Sequence, residues 1–284
     1  MRVTVIGAAN IDIITRSKAK IIPADSNPAE VRLKAGGVAR NIAAMLALRE
    51  VEVDMIAAIG NDPFGNLLKE SCMELGINTD AWIIKNNIST GVYLAALEND
   101  GELYAGFNAM SAPESIKTAD VTKHKSIIAY ADLLILDLNV SEKLIGTILE
   151  LREGRPVMVD AVSVAKVSRV ENYLEQIDIL KLNRLEAEAL TGITLDSKER
   201  VVQASNHLIS RGVKRVFITM GISGVRATDE KNSIAVPAIP VVVKDVTGAG
   251  DAFAAGIAIE FEKDLRTQAE AGVKLAAEHL GRSK

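Results

Sequence analysis

The 284 residues carry 33 Lys and Arg against 37 Asp and Glu, a net charge of −4, with 48% hydrophobic and only 4% aromatic residues. The basic residues are interspersed among acids, which leaves no stripe for a phosphate backbone and argues against nucleic-acid binding. The lone Cys72 allows no internal disulfide. With no leader and no apolar run of spanning length, the expectation is a cytoplasmic protein away from membranes.

In chain order, a strand at 3–6 runs into Gly7-Ala8-Ala9-Asn10-Ile11-Asp12. This places Asp12 beyond the carboxyl end of a strand, where open α/β sheets bind ligands and a carboxylate holds vicinal hydroxyls; a solvated loop acid is the alternative. The segment 11–35 is polar and Pro-bearing (Pro23-Ala24-Asp25-Ser26-Asn27-Pro28), and 88–110 reads as a hairpin around Asn99-Asp100-Gly101. Neither has a helix to cover it, so together they predict a small β-sheet lid. Between them, Gly36-Gly37-Val38-Ala39-Arg40-Asn41 opens a helix to about residue 49. Paired glycines permit close ligand approach there, and Asn41 offers both donor and acceptor, although a plain turn before a helix fits too. A helix at 64–75 contains Cys72, read as a small core residue.

From about residue 120, apolar runs at 133–136, 157–159, 177–180 and 216–219 alternate with helical patterns at 141–152, 184–191 and 197–211, the last with Asp196 as its expected cap. Such alternation predicts a mostly parallel sheet with helices on both faces, an α/β three-layer αβα fold in one domain, 1–284. The strongest chemical signal is Asp245-Val246-Thr247-Gly248-Ala249-Gly250-Asp251, followed by an Ala-rich helix. Small residues opening a helix expose N–H groups where the dipole favours an anion. Phosphoryl transfer needs such a hole plus a carboxylate near the attacking hydroxyl, and Asp251 supplies one. Close helix packing with a dipole-compensating aspartate is the alternative.

Together these motifs resemble the ribokinase-like, or PfkB, family of sugar and nucleoside kinases over nearly the whole chain. The resemblance implies the ribokinase-like fold, with Asp12, Gly36, Gly37 and Asn41 on the substrate, Gly248, Ala249 and Gly250 as the anion hole, and Asp251 as catalytic base. Asn183-Arg184-Leu185-Glu186 is similar to the family's Asn-x-x-Glu element, implying that Glu186 and Asn183 organise Mg²⁺ near the phosphates; a helix cap is the parallel reading. Thr219-Met220-Gly221-Ile222-Ser223-Gly224 resembles the family's ATP-binding turn, with Thr219, Gly221 and Gly224 at the nucleotide. Asp245 and Thr247 match the position where relatives hold K⁺.

Within the family, residues 24–28, 36–43, 108–110 and 159–163 resemble pseudouridine kinases more than ribokinases. Asn27, Asn108 and the neutral Asn139 after the middle strand are then the expected contacts to a nucleobase. Another nucleoside or a free sugar is the alternative substrate, and a non-catalytic sugar-binding relative the alternative class. Relatives usually continue beyond Lys284 through another loop and helix, which leaves the adenine pocket and K⁺ dependence open. Alternation of Val92, Leu94 and Ala96 predicts an apolar lid face that fits a second copy of the chain.

Overall fold

The computed structural model describes residues 1–242 and 246–282. In chain order its strands are β1 (Arg2–Ile6), β2 (Asn10–Ser17), β3 (Ala29–Gly36), β4 (Glu52–Ile56), β5 (Ala58–Gly60), β6 (Ile83–Lys85) and β7 (Gly91–Leu97). They continue as β8 (Leu103–Ala109), β9 (Leu133–Asp137), β10 (Val157–Asp160), β11 (Ile179–Asn183), β12 (Arg215–Thr219), β13 (Val225–Asp229) and β14 (Ser233–Val236).

Eight strands form the central sheet in the order β14-β13-β12-β11-β10-β9-β1-β4. Those from β12 to β4 are parallel, and the β13–β14 edge is antiparallel. The parallel strands are continuous apolar runs because both faces are covered. Along β9, Leu133 and Ile135 face one core while Leu134 and Leu136 face the other, the two-residue period of a strand. The helices Val38–Ala47, Pro63–Glu74, Ala249–Ile259 and Leu265–Arg282 close the first core. The helices Glu142–Leu151, Arg184–Thr191 and Lys198–Ser210 close the second. The three-layer αβα architecture is therefore as the alternation of elements predicts. Among the described residues, no helix is long and apolar enough to cross a membrane.

Standing off this body is a four-stranded lid, β3-β2-β7-β8, with β2–β7 parallel and the outer pairs antiparallel. Its strands coincide with the two uncovered segments, and the turn between β7 and β8 carries Gly101 at φ 97°. Cross-strand partners share a face: Asp12, Lys34, Tyr93 and Asn108 on one side, Ile13, Leu33, Leu94 and Phe107 on the other. Cys72 is buried, as expected.

Three details differ from the sequence reading. The cap of helix Lys198–Ser210 is Ser197, whose hydroxyl accepts the Arg200 N–H, and not Asp196. The strand expected at 177–180 starts at Ile179 and runs to Asn183. Asp178 just before it is occupied instead, accepting the Val157 N–H and pairing with Arg152 and Lys214. The short strands β4, β5 and β6 and the antiparallel edge β13–β14 carry no signal strong enough to separate them from loops.

Candidate active site

The site gathers where parallel strands end. Asp137, the last residue of β9, is fully buried and accepts the backbone N–H groups of Ala8, Ala39 and Asn139. One carboxylate thereby ties together the loop after β1, the start of helix Val38–Ala47 and its own loop. Burial pushes its carboxyl up, against the pull of those hydrogen bonds. Gly37 holds φ 100° beside the Ala8 carbonyl, which a β-carbon would approach to 2.4 Å, so the close turn requires glycine. Gly36 lies against Asp12, whose carboxylate accepts Asn10 Nδ2–H at 2.7 Å. Burial raises the Asp12 carboxyl, while Asn10, Lys34 and Arg40 pull it back.

Helix Ala249–Ile259 begins opposite. Gly248 at φ 79° turns the chain into the helix, and no side chain caps its first turn. His279 of the last helix backs this turn, with Nε2 2.9 Å from the Thr247 carbonyl. Asp251 sits in that first turn, 9% exposed, and accepts a hydrogen bond from Asn41 Nδ2 at 2.8 Å. Its carboxyl is pushed up to about 7, chiefly by burial and then by Asp160; Asn41 and Lys181 oppose the rise and Asp137 adds to it. A carboxylate poised near neutrality suits proton abstraction from an alcohol.

Two spaces meet at this helix start. One is a cavity of about 620 Å³ beneath the polar lid face, with Asp12, Lys34, Tyr93 and Thr247 in its wall. The other is an apolar cleft of about 240 Å³, lined by Thr219, Gly221, Gly224, Ala249, Gly250 and Phe253 among others. A polar substrate fits the first and a planar aromatic base the second.

The structure thus brings Asp12, Gly36, Gly37, Asn41, Thr247, Gly248, Ala249, Gly250 and Asp251 together, with Thr219, Gly221 and Gly224 across the cleft. Asn183 and Glu186 cap one another: Asn183 donates both its backbone N–H and Nδ2 to the Glu186 carboxylate, and its Oδ1 accepts the Glu186 N–H. Glu186 is buried, which raises its carboxyl against the pull of Lys181 and Asn183. Asn108 is exposed on the lid face that carries Asp12 and Tyr93. Asn139 is buried, and its Oδ1 accepts from Lys166. Asn27 does not face the cavity: it accepts the Ile22 N–H and donates to the Ile22 and Asp25 carbonyls, closing its own loop. Asp245 lies outside the described residues.

Sequence reasoning misses Asp137, Asp160, Lys166 and Lys181. Lys181 on β11 pairs in register with Asp160 on β10, Nζ to Oδ2 at 2.9 Å, an ion pair off the ideal hydrogen-bond angle. Both are buried, and a β-carbon on Gly250 would lie 3.0 Å from the Lys181 Nζ. The signal available was charge inside an apolar strand, as in Ile179-Leu180-Lys181-Leu182.

The model of the pfkB family carbohydrate kinase matches residues 1–284. The pseudouridine kinase of Escherichia coli (strain K12) is 37% identical over 257 residues, covering 90% of this chain and 82% of that protein. Among solved structures, a carbohydrate kinase from Agrobacterium tumefaciens matches with TM-score 0.87 and 30% identity, covering 99% of this chain and 91% of the other. Arabidopsis thaliana ribokinase complexed with ribose and ATP matches in fold, with TM-score 0.89 and 24% identity over 99% of this chain and 93% of its own. The chain belongs to the PfkB family of carbohydrate kinases, phosphotransferases that act on a hydroxyl group of a sugar or nucleoside.

Proposed function

We propose that this is a cytoplasmic ATP-dependent kinase for the 5′-hydroxyl of pseudouridine. The observation that carries the reading is the meeting of a polar cavity and an apolar cleft at the uncapped helix start that bears Asp251. On this reading the ribose lies against Asp12 and Asn41, the adenine in the cleft by Thr219, Gly221 and Gly224, and the γ-phosphoryl group at Gly248, Ala249 and Gly250. Asp251 takes the proton of the 5′-hydroxyl as that oxygen forms its bond to phosphorus and the bond to the leaving ADP oxygen breaks. Asn41 holds the receiving carboxylate in place.

Kinases of this fold use ATP and a divalent cation. Mg²⁺ takes one or two carboxylates together with phosphate oxygens and waters, a donor set that the buried Glu186, oriented by Asn183, fits. Such an ion supplies neutralisation of charge on the phosphate oxygens. Thr247 and Asp245 are the positions for K⁺.

Base recognition rests on the identity with pseudouridine kinase and on two amides. An ammonium only donates, so Lys166 fixes the Asn139 amide oxygen, and of the two Nδ2 hydrogens one faces Asp137 and the other is left for a base carbonyl. Asn108 on the lid supplies the acceptor for the extra ring N–H of pseudouridine. The apolar lid face, with Val31, Leu33 and Phe107 exposed, is where a second copy docks. A second reading, a kinase for another nucleoside or a free sugar, is favoured by the engagement of Asn27 in its own loop. ADP release over a panel of pseudouridine, uridine, other nucleosides and ribose decides between them. The expected order places pseudouridine first in kcat/KM; ribose or uridine first would overturn the substrate and leave the family intact.

A further inference from the structure

Among the described residues, the catalytic motifs leave the buried Lys181 unexplained. Lys181 is the cation facing Asp160 on β10, Glu186 on the following helix and Asp251 on helix Ala249–Ile259. Its partner Asp160 is already anchored on the other oxygen, which accepts the Val162 N–H. Lys181 Nζ, 2.9 Å from Asp160 Oδ2, also lies close under the Gly250 turn. A β-carbon on Gly250 would come within 3.0 Å of Nζ, and Gly250 itself lines the apolar cleft at the helix start.

We infer that Lys181 is a further catalytic residue, its ammonium reaching past Gly250 to the oxygens of the transferred phosphoryl group. This rests on the kinase reading above. Charge on those oxygens at the moment of transfer is then met by backbone N–H groups and by a preorganised ammonium in a buried setting, where such a contact is worth far more than in water. The alternative role is local neutralisation of Asp160. The two differ in what happens when Asp160 is neutralised as well.

Lys181→Met leaves Asp160 buried without its partner, so the decisive variant is the double Lys181→Met/Asp160→Asn, with Lys181→Arg as the conservative control. We expect the double variant to keep a wild-type near-ultraviolet circular dichroism spectrum and nucleoside KM within about threefold, yet to lose about 10² to 10³ in kcat, with Lys181→Arg retaining the larger share. Calorimetric titration with Mg²⁺ and either AMP-PNP or ADP gives a readout independent of turnover. The double variant should lose affinity for AMP-PNP about tenfold more than for ADP, because only the former presents a γ-phosphoryl group. Wild-type kcat in the double variant, or equal loss of both nucleotides, would overturn the inference. If the wild-type protein phosphorylates none of the nucleosides or sugars but the AMP-PNP difference holds, the substrate reading fails and the role of Lys181 stands. Failure of the wild-type protein to bind either nucleotide would overturn both.

Discussion

The first turn of helix Ala249–Ile259 and the polar face of the lid both line the candidate site, but they are built in opposite ways. Around Asp251 nearly every group is buried and held by a second one: Asn41 on Asp251, Asp160 on Lys181, Asp137 on three backbone N–H groups. On the lid, β3 is exposed from Ala29 to Lys34, and Asn108 stands in solvent. Groups that act on a developing charge must be fixed beforehand and kept from water, whereas groups that recognise a substrate can wait for it to order them. Substitutions in the first region should therefore act on kcat and those in the second on KM.

The largest effect is expected from Asp251→Asn, which removes the proposed proton acceptor and keeps the shape. Turnover should fall by about 10² to 10⁴, while KM changes little. Near-normal turnover would assign the base to another group. The same substitution should raise stability at neutral pH. A carboxyl raised to about 7 in the folded protein holds a proton that the unfolded chain has released above its ordinary value near 4. The folded state is therefore penalised increasingly as pH climbs through that window, and fully above it. Asn carries no such penalty, so the melting temperature of the variant should exceed that of the wild type at pH 8, with the gap closing toward pH 4. An equal gap at both ends would show that the charge of Asp251 is not the cause.

A smaller effect tests the same group in the intact protein. Since the base works deprotonated, log kcat/KM should rise with a slope near one below about pH 7 and level off above it. A plateau extending to pH 5 would contradict a base titrating near neutrality. The smallest change belongs to the lid: Asn108→Ala should raise KM for pseudouridine about 3- to 30-fold and leave kcat and the KM for ribose nearly unchanged. A fall in kcat instead would mean that the lid takes part in fixing the reacting groups and that the contrast between the regions is false.

The sequence already showed what each region repeats locally. Glycines before Asp251, glycines before Asn41 and the Asn99-Asp100-Gly101 turn are short-range signals, and all lie where their local chemistry puts them. What it hid depends on register between distant strands. Asp160 and Lys181 are 21 positions apart and become partners only because β10 and β11 run parallel with those residues aligned. Asp137 meets Ala8 and Ala39 across more than ninety residues of chain. Asn27 illustrates the converse: its composition suits a ligand contact, but an amide in a short loop is easily taken by the nearest backbone groups, here those of Ile22 and Asp25.

The connection between β1 and β2 is only residues 7–9, so Asp12 stands on the lid sheet while Asp251 belongs to the central body. On the proposed reading, a substrate gripped at one end by Asp12 and presented at the other to Asp251 is a strut between the two, and the short joint bounds how long that strut can be.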